Sequence, residues 1–226
     1  QRMAEQGLTV VRREASWYSI EPNAPSYSLF TLQSTRNYQW AGAGYDDFVY
    51  DLARAGLRWQ PVLAGTPRWA SRNPFDSRWA SFPPMNNDDF AAFAGALAAR
   101  YGRNGSFWRA NPQLDSSLYV RVYEIWNEPN FGGNWMPQPD PRAYGALWKA
   151  AYFRIRNTDP ASTDMRVIVG GLGVAQANWT QDNGEPVYQD VAFVNDLFMA
   201  HPELRTAAGG VGYHPYAGHV QGQIPE

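Results

Sequence analysis

The chain has 226 residues, 44% hydrophobic and 18% charged, which is ample material for one buried core and unlike a disordered segment. Its formal net charge of −2, with no Lys/Arg run, argues against nucleic acid or an anionic membrane as the main partner. The absence of Cys excludes a disulfide framework, a zinc ribbon and thiol catalysis.

In chain order, short apolar strands alternate with amphipathic helices. Leu8–Ala15 reads as the first strand. Asp46–Ala55 reads as a helix, with Phe48, Val49 and Leu52 on one face and Gly56 placed as its stop. Leu57–Ala64 is the second strand, ending in Gly65-Thr66-Pro67, and Asp88–Tyr101 is a helix that Gly102 terminates. The third strand, Leu118–Trp126, runs into Asn127-Glu128-Pro129. Pro141–Asn157 is a helix with Asp140 as N-cap and Pro141 as first residue. Arg166–Gly171 is a fourth strand, Asp190–Ala200 a fourth helix, and Val211–His214 a fifth strand. No apolar run reaches the ~18 residues of a membrane-spanning helix. Gln1 is not an initiator Met, so the natural N-terminus is expected to lie upstream.

This alternation predicts a parallel sheet with helical crossovers, and a (β/α)8 TIM barrel as its architecture, in one domain spanning 1–226. The strands start roughly 45–60 residues apart, against ~31 for a ~250-residue barrel, and the excess lies after strands, where barrel enzymes build their sites. A doubly wound open sheet is the rival. It would carry a Gly-rich turn after its first strand, and Ser16–Pro25 has no glycine. Five strands are too few for a closed barrel, so the chain is expected to hold only part of one. Ser16–Tyr45 has room for a short extra strand but not for a full unit.

The sharpest chemical signal is Asn127-Glu128-Pro129 at the C-terminal end of a Val/Ile/Tyr strand. A carboxylate there points into the mouth of a barrel beside an amide that can hydrogen-bond a hydroxyl. Pro129 halts the ladder and turns the chain away. Glycosidic cleavage needs such an acid to protonate the departing oxygen, with a second carboxylate across the sugar. A bare Asn-Glu-Pro is also compatible with a solvated loop; the preceding strand and Trp126 favour the catalytic reading. The chain's 10 Trp, 13 Tyr and 11 Phe fit core packing first, with stacking on sugar faces as the alternative for some.

Tyr123-Glu124-Ile125-Trp126-Asn127-Glu128-Pro129-Asn130 resembles the fourth-strand signature of clan A glycoside hydrolases, most of all family 39 and its relatives near family 5. The resemblance extends over nearly the whole chain. Val10-Val11-Arg12 through Trp17-Tyr18-Ser19-Ile20-Glu21-Pro22 is similar to the second-strand segment, and Gln60-Pro61-Val62-Leu63 through Thr66-Pro67-Arg68-Trp69-Ala70 to the third. Val167–Gly171 is similar to the fifth, and Gly212-Tyr213-His214-Pro215-Tyr216 to the sixth. By that resemblance Glu128 is the acid/base and Asn127 contacts the sugar 2-hydroxyl. Arg12, His214 and Tyr216 belong to the hydrogen-bonded shell around nucleophile and substrate, and Trp69 lines the cleft. Arg13 and Glu14 depart from the more apolar pair usual after that Arg.

The resemblance also implies a nucleophile Glu at the end of a seventh strand, beyond Glu226. Glu124 does not replace it: four strand residues place it ~13 Å from Glu128. Retaining enzymes hold their carboxyls ~5–5.5 Å apart and inverting ones ~6.5–9.5 Å. Glu14, Glu21 and Glu185 have no nucleophile-like context.

Other features carry less. His201, His214 and His219 suggest a metal site only weakly without Cys or a His-Glu-x-x-His helix, so no metal or cofactor is expected. Gly170-Gly171-Leu172-Gly173 lacks the Lys-Ser/Thr of a phosphate loop and is expected to be a tight βα turn. Trp135 and Trp179 follow strands in polar stretches, where cleft stacking and local packing are both open; Trp135 is carried forward as substrate-binding. The expected function is a retaining O-glycosyl hydrolase acting on a β-linked oligo- or polysaccharide. Its alternative is a non-catalytic barrel that binds sugar or a partner.

Overall fold

The structure is a computed structural model that describes residues 2–28, 33–175 and 184–215. A short helix α1 (Arg2–Glu5) leads into strand β1 (Val10–Ser16) and the one-turn helix α2 (Trp17–Ile20). A small antiparallel hairpin, β2 (Ser26–Ser28) with β3 (Gln33–Thr35), precedes α3 (Tyr45–Arg54) and β4 (Arg58–Ala64). Then come α4 (Asn87–Tyr101), α5 (Ser106–Ala110), β5 (Val122–Asn127) and α6 (Pro141–Arg156). The chain continues through β6 (Arg166–Gly173), α7 (Asp190–Ala200), α8 (Leu204–Ala207) and β7 (Val211–His214).

The five long strands form one parallel sheet in the order β1-β4-β5-β6-β7. Sheet order equals chain order because each crossover returns the chain to the next position along the same edge. Local chemistry sets the helix starts. The Asn86 side chain accepts from Asp88 N, Asp140 from Ala143 N, and Gln189 from Ala192 N. Pro141 opens α6, and Gly56, at φ +72, turns the chain from α3 into β4.

Alternation along each strand separates two faces. Trp59, on the helix side of β4, stacks on Tyr45 with ring centroids 5.6 Å apart and meets Tyr101 edge-on at 5.5 Å. Leu63, Tyr123, Ile125 and Val169 are likewise fully buried. At about 1.5–3 kcal/mol for each large apolar side chain removed from water, this layer dominates the cohesion of the fold. The other face carries Arg12 and Gln60, both of which donate to the Glu124 carboxylate. Burial falls off at both sheet edges: Val10 of β1 is 40% exposed, and Val211 and Tyr213 of β7 are 42% and 54% exposed.

Three expectations are corrected. The third strand starts at Val122, not Leu118, because Ser116–Leu118 forms a 3-10 turn capped by the Asp115 side chain. The stretch from Ser16 to Tyr45 holds a helical turn and a hairpin rather than one extra strand. Gly170, Gly171 and Gly173 lie inside β6 and form no turn. Each is a point of close approach: a Cβ on Gly170 would strike the Trp126 carbonyl, on Gly171 the His214 ring, and on Gly173 the Phe131 ring.

Candidate active site

The site is built where β5 ends. Trp126 and Glu128 flank Asn127 with φ of +68° and +45°, left-handed values that L side chains adopt at a cost of about 1–3 kcal/mol each. Surrounding contacts over-determine both. The Trp126 indole N–H donates to Asn134 O at 2.7 Å, and its ring is buried against Phe90 and Trp135. Glu128 N donates to Gly171 O at 2.9 Å, and Glu128 O accepts from Phe131 N at 3.0 Å. Pro129 supplies no N–H to continue the ladder, so the backbone turns and Glu128 projects from the C-terminal end of the sheet.

Both carboxylate oxygens of Glu128 are held. His214, from the end of β7, places Nδ1 2.8 Å from Oε1, and Asn134 Nδ2 donates to Oε2 at 3.1 Å. An ionised carboxylate only accepts, so with Glu128 charged the His214 proton sits on Nδ1; with Glu128 protonated the direction reverses. The two side chains are 16% and 11% exposed, open enough for a ligand to reach yet sheltered from bulk water. The pair can therefore offer or accept one proton at the mouth of the sheet.

A second network lies beside it. The Arg12 guanidinium grips Glu124 with two bonds, 2.8 Å from Nε and 2.7 Å from Nη2, and Nη2 also donates to Asn127 Oδ1 at 2.9 Å. Glu124 is 1% exposed and accepts further from Gly171 N at 2.7 Å. A buried carboxylate with a bidentate guanidinium and a backbone donor is fully satisfied and stiff. By taking Oδ1, Arg12 turns the NH2 of the Asn127 amide away from itself. Glu14 follows two positions along β1, on the face of Arg12.

The structure thus brings Glu128, Asn127, Arg12 and His214 to one end of the sheet. Trp69 is half-buried in the loop after β4, its indole N–H donating to Glu21 O at 3.0 Å and its ring edge-on to Trp17. Trp135 corrects an expectation: at 1% exposure it packs edge-on against Trp126 and Tyr144 and cannot stack on a ligand. It is the wall that holds Trp126 in its left-handed turn. Tyr216, Trp179 and His219 lie outside the described residues. His201 caps α7 with Nε2 2.8 Å from Arg142 O, on a different element from His214. Among the described residues, no group of three or more His, Asp or Glu is arranged to hold a metal.

Sequence reasoning missed three contributors. Glu124 was weighed only as a nucleophile; alternation puts it on the Arg12 face, which was the available signal. Asn134 and Gly171 gave none, since each is set by contacts distant in sequence.

No family model matches the chain, and no curated protein matches it. Solved structures do. The catalytic domain of GH30 xylanase C from Talaromyces cellulolyticus is similar with a TM-score of 0.54 and 16% identity, over 93% of this chain and 45% of that one. A glucosidase from Croceicoccus marinus is similar with a TM-score of 0.54 and 12% identity, over 91% of this chain and 37% of that one. The chain spans less than half the length of either. At such identities the likeness concerns the fold: an α/β architecture on a parallel sheet, shared with part of two glycoside hydrolases.

Proposed function

We propose that this chain is the acid/base-bearing part of a (β/α)8 glycoside hydrolase that cleaves a β-linked oligo- or polysaccharide with retention. The observation that carries the reading is Glu128 itself: a carboxylate at a strand C-terminus, turned outward by a left-handed backbone, with one oxygen on His214 and the other on Asn134. In this reading Glu128 protonates the departing glycosidic oxygen. Once a glycosyl-enzyme has formed, it takes a proton from the incoming water. Asn127, fixed by Arg12, presents its NH2 to the hydroxyl next to the reacting carbon. Trp69 contributes to the wall of the cleft.

The second carboxylate belongs to a strand outside this chain. Glu124, the buried acid nearest in sequence, is committed to Arg12 and Gly171. Two features support a barrel that continues past these strands: the exposed edges at β1 and β7, and the coverage of under half of each similar structure.

The test uses the protein that carries this chain. It is offered xylan, β-glucan, mannan and β-aryl glycosides, and the first product is observed by 1H NMR before mutarotation. Initial release of the β-anomer supports the proposal. Initial α-anomer replaces retention with inversion. Saturable binding of one polysaccharide without any cleavage sinks the hydrolase reading in favour of a sugar-binding barrel.

A further inference from the structure

At the opposite end of the sheet from Glu128, the strand N-termini build a second polar cluster that the proposed chemistry does not use. Arg58 opens β4, Arg121 directly precedes β5 and Arg166 opens β6; with Gln60 and Asp164 they line a pocket of about 230 Å³. Against these three guanidiniums stand two carboxylates, Asp164 beside Arg121 and Asp115, whose charge acts on Arg58. Arg58 Nη2 and Arg121 Nη2 donate to the same acceptor, Ser117 O, at 3.3 and 3.1 Å, which brings two like charges together. Asp164 Oδ2 is 3.3 Å from Arg121 Nε, a charge contact without hydrogen-bond alignment. It already accepts from Tyr119 OH at 2.5 Å, while Oδ1 accepts from Ser162 Oγ at 3.0 Å. Arg166 spends Nη1 on the carbonyls of Thr163 and Met165.

Two donors are left over. Arg58 Nε and Arg121 Nε are buried and have no hydrogen-bond partner. A buried N–H on a charged group is costly to leave unpaired, and like charges on one carbonyl add to that cost. Burial and then the Arg121 charge accordingly push the Arg58 pKa down. The bland reading is a capping layer, with Arg121 lying 4.8 Å over the Tyr119 ring. Ring stacking accounts for the flat face of Arg121 but supplies no acceptor to either Nε.

We propose that this pocket binds an oxyanion, a phosphate or carboxylate group that accepts from Arg58 and Arg121 with Arg166 at its rim. Guanidinium forks match the geometry of both groups, and the local excess of positive charge selects an anion over a neutral ligand. The anion has two sources: free phosphate, or a carboxylate side chain of a polypeptide segment reaching the underside of the sheet. The site is independent of the chemistry at Glu128.

The protein that carries this chain tests this through its arginine Nε–H resonances in 1H–15N NMR. Inorganic phosphate and acetate are titrated separately, against sodium chloride at equal ionic strength. The proposal expects saturable shifts of the Arg58 and Arg121 Nε–H signals with at least one anion. Binding should weaken about tenfold in Arg58→Met, the loss of one charge-assisted bond, and strengthen in Asp164→Asn. Response to phosphate points to a free ion, and response to acetate alone points to a protein carboxylate. Should Arg58→Met fail to fold, Arg166→Gln, at an exposed rim position, reads the same dependence. Neither anion moving these signals beyond the chloride control overturns the proposal.

Discussion

Gly171 connects more of the site than its lack of a side chain suggests. Its N–H donates to Glu124, its carbonyl accepts from Glu128 N, and its missing Cβ leaves the space that the His214 ring fills. Gly171→Ala is therefore expected to push His214 off Glu128 and to destabilise the fold by about 1–3 kcal/mol, an overpacking cost that thermal or urea unfolding can measure. An unchanged stability with an unchanged His214 ring signal would contradict this. Asn134 is the second test at this scale. Removing its donor to Glu128 in Asn134→Ala should slow cleavage of substrates with poor leaving groups about tenfold, while activated aryl glycosides react as before. Equal losses on both substrates would assign Asn134 a merely structural role. Glu128 itself was legible in the sequence because a strand, a Pro and a following loop are all local signals. Asn134 was not, since its approach depends on Trp126 folding back to hold its carbonyl.

Among the elements, the sequence revealed those with a clear period. The four long helices and four of the five parallel strands appear within a few residues of expectation, because apolar spacing and caps are written locally. The 3-10 turn before β5 was misread as strand, since Leu118 and Tyr119 have strand-like composition and the turn is decided by the Asp115 cap. The short α2 was missed because its order comes from tertiary contacts. Trp17 donates to the Glu21 carboxylate at 2.8 Å, and Arg36 bridges Glu21 to Asp89 of α4. Burial nevertheless raises the Glu21 pKa above 4.5, outweighing the donors from Trp17 and Arg36. A carboxyl with a raised folded pKa contributes stability that is full below its unfolded value and is lost as pH rises through the folded one. Glu21→Gln does not titrate. Its unfolding free energy relative to the parent should therefore climb between about pH 4.5 and neutrality, as read from urea unfolding across that range. A flat or falling difference would show that the Arg36 pair outweighs burial.

For the whole molecule, the number of strands proved less informative than where burial stops. Central strands are dry on the helix side, whereas β1 and β7, which end the sheet among the described residues, leave Val10, Val211 and Tyr213 exposed. The sequence carried the strand order but not this exposure, which depends on what lies beside each edge. Open parallel edges with apolar side chains invite association. In analytical ultracentrifugation the isolated 226-residue chain is expected to self-associate; a monodisperse monomer that unfolds in one cooperative step would count against a barrel that continues past this chain. The central claim remains the role of Glu128, and Glu128→Gln in the protein that carries this chain tests it most directly. Cleavage is timed on a polysaccharide and on aryl glycosides of graded leaving-group acidity. The account predicts that polysaccharide cleavage is abolished while the first step on the most activated glycoside keeps nearly its parental rate. A variant that hydrolyses polysaccharide at the parental rate would contradict it.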